Sequence, residues 1–189
     1  MGRWDADANG RLLQAAMTLF FQRGYDDVTV AEIAESAGLT KRTFFRHFAD
    51  KREVPFAGAP AFQAGVVAAV TAAPDDVAPA EAAVAALAET SGAQLAQWAE
   101  YARARRDLVA TSADLRERAL IKNASLTDAV AEALRQRGTA ALAADLTAHG
   151  AVAAFTVGYD RWLDGDGKAD LPTLVRETFD ELRLALSPS

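Results

Sequence analysis

Gly38-Leu-Thr-Lys-Arg-Thr-Phe-Phe-Arg-His-Phe-Ala-Asp-Lys51 is the stretch that decides how the rest of the chain reads. Thr40 has the side chain of a helix N-cap, and the spacing predicts a short helix over Lys41 to Phe48. Phe44 and Phe48 fall one turn apart and are expected to face inward. That turns Lys41, Arg42, Thr43, Phe45 and Arg46 outward. A ring exposed among cations is unfavourable on a surface that meets only water, but it fits the major groove of a DNA duplex. There Arg and Lys reach guanine edges or phosphates, and an apolar ring touches a thymine methyl. Composition alone also leaves open a plainer alternative, a charged helix on the face of a globular domain.

Upstream, Leu12, Ala16, Leu19 and Phe20 recur at helical spacing over about Ala6 to Arg23, and Gly24 is a natural stop. Thr29-Val-Ala-Glu32 reads as a capping box that opens a second short helix, with Ile33, Ala34 and Ala37 inside and Gly38 at its end. Downstream, Asp50 is placed to cap a fourth helix starting near Lys51. Three short helices joined by tight glycine-containing turns make a helix-turn-helix. The amides at helix starts capped by Thr29, Thr40 and Asp50 are further positions for phosphate.

The net charge of −6 argues against nucleic acid until its distribution is read. Leu39 to Arg52 carries five basic residues (Lys41, Arg42, Arg46, Lys51, Arg52) against one acid, Asp50. Met1 to Val54 balances eight basic residues with eight acids, so the excess of acid lies in the remainder. Positive charge gathered in one short segment is what a DNA-contact surface needs. The chain has no Cys, which suits a reducing cytosol. Its N-terminus lacks the pattern of a signal peptide, and the apolar stretch from Ala57 to Ala73 is too short and too rich in alanine for a membrane span. A cytoplasmic protein with no membrane partner is the expectation.

After Val54 the texture becomes alanine-rich and helical, with segments expected at roughly 51–73, 79–102, 104–111, 113–137, 139–164 and 171–186. The last two carry the heaviest apolar stripes, Val152, Phe155, Tyr159, Trp162 and Leu163 on one and Leu171, Leu174, Val175, Phe179, Leu182 and Leu186 on the other. The Gly165-Asp-Gly167 turn between them favours an antiparallel hairpin, and two such hairpins could pair as a four-helix bundle. Val152, Phe155, Tyr159, Trp162, Phe179, Leu182 and Leu186 are therefore candidates for a homodimer interface, with an ordinary intrachain core as the alternative. Gln94, Trp98, Tyr101 and Arg105 recur at steps of four, three and four, which on one continuous helix puts them on one face. Such a face suits a flat or elongated apolar ligand with a polar or anionic end, and it is equally consistent with core packing.

No enzymatic constellation is present. With no Cys, only two His, no glutamate–histidine metal pattern and no phosphate-binding glycine loop, the residues call for no catalytic group, metal or cofactor. An all-helical enzyme or a protein-interaction adaptor whose basic helix binds an acidic partner are the rival classes. His47 is read as a DNA-backbone contact and His149 as structural.

Several elements in fixed order carry a resemblance. Ala16–Phe20, Gly24-Tyr25, Val28-Thr-Val-Ala-Glu-Ile-Ala34, Ala37-Gly-Leu-Thr40 and Thr43-Phe-Phe-Arg-His-Phe48, closed by Lys51, resemble the DNA-binding domain of the TetR family of regulators. The resemblance implies an all-α fold, with a helix-turn-helix domain over 1–54 and a helical ligand-binding and dimerisation domain over 55–189. It implies that Lys41, Arg42, Thr43 and Phe45 face bases while Thr29, Thr40, Arg46, His47 and Lys51 face phosphates. Where this chain has Phe45 the family usually has tyrosine, so one hydroxyl contact is missing. The partners implied are a palindromic duplex, a second copy of the chain and a small apolar or amphipathic ligand, with repression the commoner direction. The Arg103–Asn123 texture loosely resembles an actinobacterial branch associated with acyl-CoA-like ligands.

Overall fold

Alanine- and leucine-rich segments punctuated by proline and glycine give a chain built from helices alone. The computed structural model describes residues 3–165 and 169–187, among which there are nine α-helices and no strand. They are α1 (Arg3–Arg23), α2 (Val30–Ser36), α3 (Lys41–His47), α4 (Ala59–Ala72), α5 (Pro79–Gln94), α6 (Ala99–Thr111), α7 (Ala113–Gln136), α8 (Ala141–Asp164) and α9 (Leu171–Leu186). The expected all-α class holds.

One unit comprises the chain to Gly58 together with Ala104–Leu120. α1 packs on α2, α3 and a 3-10 turn over Lys51–Phe56. Leu12, Ala16, Phe20, Val28, Ile33, Phe44 and Val54 are all no more than 1% exposed. Gly24 and Gly38 close α1 and the α2–α3 turn at φ of +85° and +64°, a region in which a Cβ is strained. The return of 104–120 to this unit, against a division at 54/55, has a physical basis. Leu108 and Leu115 bury their side chains, Arg118 pairs with Glu53, and the Arg105 guanidinium lies 5.7 Å from the centre of the Phe56 ring.

The second unit holds Ala59–Arg103 and the chain from Ile121 on. Its core comes from α4, α5, α8 and α9 and the distal part of α7, through Phe62, Val66, Leu87, Val130, Leu134, Ala148, Phe155, Trp162 and Val175. α8 and α9 form the expected antiparallel hairpin. They cross so closely at Gly158 that a Cβ there would lie 3.1 Å from Val175 Cα. Near the other end of the pair, Gly150 faces Leu182. The turn expected at Gly165-Asp-Gly167 lies, beyond Gly165, outside the described residues. By length and composition 51–72 and Ala141–Asp164 could cross a membrane, but α8 turns Ala144, Ala148, Val152, Phe155 and Trp162 into the core of this unit.

Two helix expectations are corrected. The segment 51–73 is broken into the 3-10 turn and α4. Pro55 has no amide to donate, and Pro60 suits only the first turn of a helix, so the ladder cannot run through both. The segment 79–102 ends as α5 at Gln94, passes through a 3-10 turn at Ala96–Trp98 and restarts as α6.

Candidate nucleic-acid interface

α3 is fixed from beneath and from its start. Phe44 and Phe48, 0% and 5% exposed with ring centres 5.5 Å apart, anchor its inner side. At its start the Thr40 hydroxyl accepts from the Thr43 amide at 3.2 Å and shares a 3.0 Å hydrogen bond with the Thr43 hydroxyl. Arg11 of α1 donates to the carbonyls of Ala37 and Gly38 and so ties down the turn that aims α3. Nothing in the local pattern around Arg11 announced that role; it depends on the α1–turn approach.

The outer side of α3 carries what the sequence reading placed there. Lys41, Arg42, Phe45 and Arg46 are exposed and Thr43 is half-buried, while Thr40 heads the same helix. Three cations and a ring thus share one short exposed surface. His47 is half-buried, and its Nε2 is enclosed with no hydrogen-bond partner among the described residues.

Thr29 closes the capping box on α2. Its amide and hydroxyl donate to Glu32 Oε2 at 2.9 and 2.7 Å, and the Glu32 amide donates back to the hydroxyl at 3.3 Å. Arg23 of α1 joins at 2.8 Å. The Thr29 hydroxyl and amide, with help from Arg23, hold the Glu32 carboxyl down at about 2. A carboxyl lowered by folding stabilises the fold above its ordinary value of 4.5 and loses that contribution as pH falls toward about 2. Glu32→Gln should therefore match the parent's acid-unfolding curve at the bottom of that window and differ above it. Circular dichroism against pH checks this, and a constant offset at every pH would refute it.

Lys51 is the clear departure. Expected at phosphate, its ammonium donates instead to the carbonyls of Tyr25, Val28 and Asp26 at 2.9, 3.0 and 3.4 Å and sits 4.2 Å from the centre of the Tyr25 ring. It clamps the α1–α2 connection. Asp50 caps the 3-10 turn by accepting from the Arg52 amide at 2.7 Å. Burial works to raise the Asp50 carboxyl, but the Arg52 hydrogen bonds outweigh it and leave it low.

The ligand-face expectation does not survive the break at residues 95–98. Gln94 ends α5, where its amide group crowds the position a Cβ on Gly65 would take; Trp98 is 58% exposed in the 3-10 turn; Tyr101 is half-buried on α6. Arg105 belongs to the first unit, over Phe56. A 3-10 turn advances about 120° per residue, so the four-three-four register is lost.

The dimer-face expectation is likewise corrected in part. Val152, Phe155 and Trp162 are core, with Phe155 stacked on Phe62 at 5.2 Å and Trp162 Nε1 donating to the Ala169 carbonyl at 3.0 Å. Tyr159, Phe179 and Leu182 are half-buried, and Leu186 is exposed. The large apolar residues that α8 leaves exposed are instead Leu142, Leu146 and Val157, at steps of four and eleven with Ala153 between the last two. Their i, i+4, i+11, i+15 spacing was legible as a second stripe, hidden by the larger aromatic residues beside it. His149 Nδ1 donates to the Asp145 carbonyl within its own helix, at 2.8 Å.

Residues 12–57 match the family described as bacterial regulatory proteins, tetR family, and residues 77–187 match the MftR C-terminal domain, more than half of the chain. The regulator TcmR of Streptomyces glaucescens is 41% identical over 64 residues, 34% of this chain and 28% of TcmR. MftR of Mycobacterium tuberculosis, named as a candidate regulator of mycofactocin biosynthesis, is 36% identical over 56 residues, 30% of this chain and 28% of MftR. These alignments thus span little more than a quarter of each relative. Among solved structures, the SmeT–triclosan complex superposes with a TM-score of 0.64 at 20% identity, covering 94% of this chain and 90% of that one. Thermus thermophilus FadR in complex with lauroyl-CoA gives 0.61 at 21% identity, covering 96% of each chain. The matched proteins are regulators rather than enzymes.

Proposed function

Because the chain belongs to the TetR family of bacterial regulatory proteins, we propose that it is a cytoplasmic transcriptional repressor that a small molecule releases from a palindromic DNA operator. The observation that carries this reading is α3. Its inner side is locked by Phe44 and Phe48, and its outer side presents Lys41, Arg42, Phe45 and Arg46 together. The arrangement suits base contacts from Lys41, Arg42, Thr43 and Phe45, with Arg46, Thr40 and the α2 start at Thr29 beside the phosphates. Lys51 drops out of that set and His47, being half-enclosed, sits at its margin.

One reading head makes few contacts, and a homodimer joins two of them on half-sites roughly 34–36 Å apart. The exposed Leu142, Leu146 and Val157 of α8, with Leu186 and the partly open Phe179 and Leu182 of α9, supply an apolar surface for pairing. An apolar or amphipathic effector, acyl-CoA-like in its combination of chain and anionic head, would act from the second unit. It shifts the population of dimers away from the DNA-competent spacing by as much as its affinities for the two states differ.

Selection of duplexes from a random pool, at near-physiological salt, tests the reading. A palindrome with two half-sites about one helical turn apart is the expected product. Salt-sensitive binding blind to sequence would overturn the specific-regulator reading and favour the adaptor class, with the acidic partner then sought among proteins.

A further inference from the structure

From Glu53 to Ala102 the chain carries six acids and no Lys, Arg or His, so any cation near this stretch must come from another element. The fold gathers four of those acids around one feature. Ala69 of α4 and Ala73 just past its end face Ala82, Ala85 and Ala86 of α5, and side chains this short leave the gap between the two walls unfilled. The result is a solvent-open groove of about 310 Å³, lined also by Pro74 and Val77. That lies at the lower end of the range for small-molecule sites, about 300–1,000 Å³. Its rim is acidic. Glu81 and Glu89 line it two turns apart on α5, and Asp75 and Asp76 lie between Pro74 and Val77. Two guanidiniums reach this region: Arg176 of α9 pairs with Glu89, and Arg137, just past α7, donates to the Pro74 carbonyl at 2.6 Å. Asp75, Asp76 and Glu81 keep exposed carboxylates, with no ion pair or side-chain hydrogen bond among the described residues. The surplus charge at the rim is therefore negative.

We propose that the α4–α5 groove is a binding site for a lipophilic cation, an alkyl or aryl ammonium whose apolar part lies between Ala73 and Ala85 and whose head stands at Glu81. The alanine floor takes the apolar part out of water, while the head stays at the mouth beside the carboxylates, where it keeps its hydration. A quaternary ammonium has no donor to satisfy, so a floor without free acceptors costs it nothing. A cleft lined by one sign of charge also raises the local concentration of the opposite ion. The site is independent of the regulator reading: an acyl-CoA-like effector carries the opposite charge, and the acidic rim turns it away.

Calorimetric titration of the full chain at low ionic strength tests this with three probes that share one apolar body: octyltrimethylammonium, octyl glucoside and octyl sulfate, each below its micellar concentration. The ammonium should bind most tightly and the sulfate roughly tenfold more weakly, and the preference should shrink as salt is added. Glu81→Gln should weaken the ammonium by up to about fivefold, the worth of an exposed ion pair, and leave the glucoside unchanged. Ala85→Phe and Ala73→Phe fill the groove from opposite walls at partly exposed positions. Each should abolish ammonium binding and keep the parent's melting temperature. Equal binding of sulfate and ammonium overturns the proposal, as does ammonium binding that survives both filled variants. No ammonium binding to the parent also overturns it, and leaves the groove to a basic partner chain.

Discussion

Leu146→Glu is expected to give a folded monomer that no longer recognises a two-half-site operator. Leu146 is 66% exposed and Leu142 is 72% exposed, one turn apart on α8, and Val157 continues the face at 52%. Burying a leucine side chain is worth about 1.5–3 kcal/mol, and a two-fold interface buries each residue twice. A carboxylate in its place must be desolvated for the surface to pair, which costs several kcal/mol more. The protomer loses nothing, because the side chain is not part of its core. Sedimentation velocity should show half the parent mass, and the circular dichroism spectrum should be unchanged. A dimeric Leu146→Glu chain would move the interface off this stripe.

Phe155, one of the interface candidates that the sequence offers, would mislead in the same experiment. It is 9% exposed, stacked on Phe62 and next to Tyr159 in a row of rings that ends at Trp162. A glutamate there buries an unpaired charge in the core of the second unit, and unfolding would be scored as loss of the dimer.

The contrast shows what was legible and what was not. Caps, glycine stops and the Phe44–Phe48 spacing are local, so α1 to α3 and the outward set on α3 could be read within about one turn of each residue. The antiparallel α8–α9 hairpin was legible for the same reason. What a stripe is buried against is not local. Phe155 and Leu146 are both apolar residues on one helix, and only the positions of α4, α5 and α9 make one core and the other surface. The break at residues 95–98 falls in Leu-Ala-Gln-Trp with no proline, and the nearby Gly92 lies inside α5, so it does not mark where the helix stops. The recruitment of Leu108 and Leu115 into the first unit depends on chain return and leaves no signature in residues 1–58.

Lys51 is the instructive case of a cation read by its sign. A lysine next to a DNA-reading helix is naturally assigned to phosphate, yet its ammonium places its donors on the Tyr25, Val28 and Asp26 carbonyls and lies against the Tyr25 ring. Tyr25 itself is buried, and that burial, with the Asp114 carboxylate adding to it, pushes its phenol up, so the ring stays neutral beneath the cation. Lys51→Met keeps the apolar stem and deletes the charge, leaving these carbonyls without their shared donor. Hydrogen bonds to a charged group are worth about 1.5–3 kcal/mol each and do not add fully, so a loss of roughly 2–4 kcal/mol is expected. That is a large part of the stability of a small domain. Denaturant unfolding should show a lower midpoint, whereas the salt dependence of DNA binding, measured where the variant is folded, should keep the parent slope. Lys41→Met should do the reverse, holding the midpoint and reducing the slope, because one cation of the DNA-facing surface is removed. If Lys51→Met reduces the slope and leaves the midpoint alone, the ammonium leaves its carbonyls for phosphate on DNA and the clamp contributes nothing to the fold.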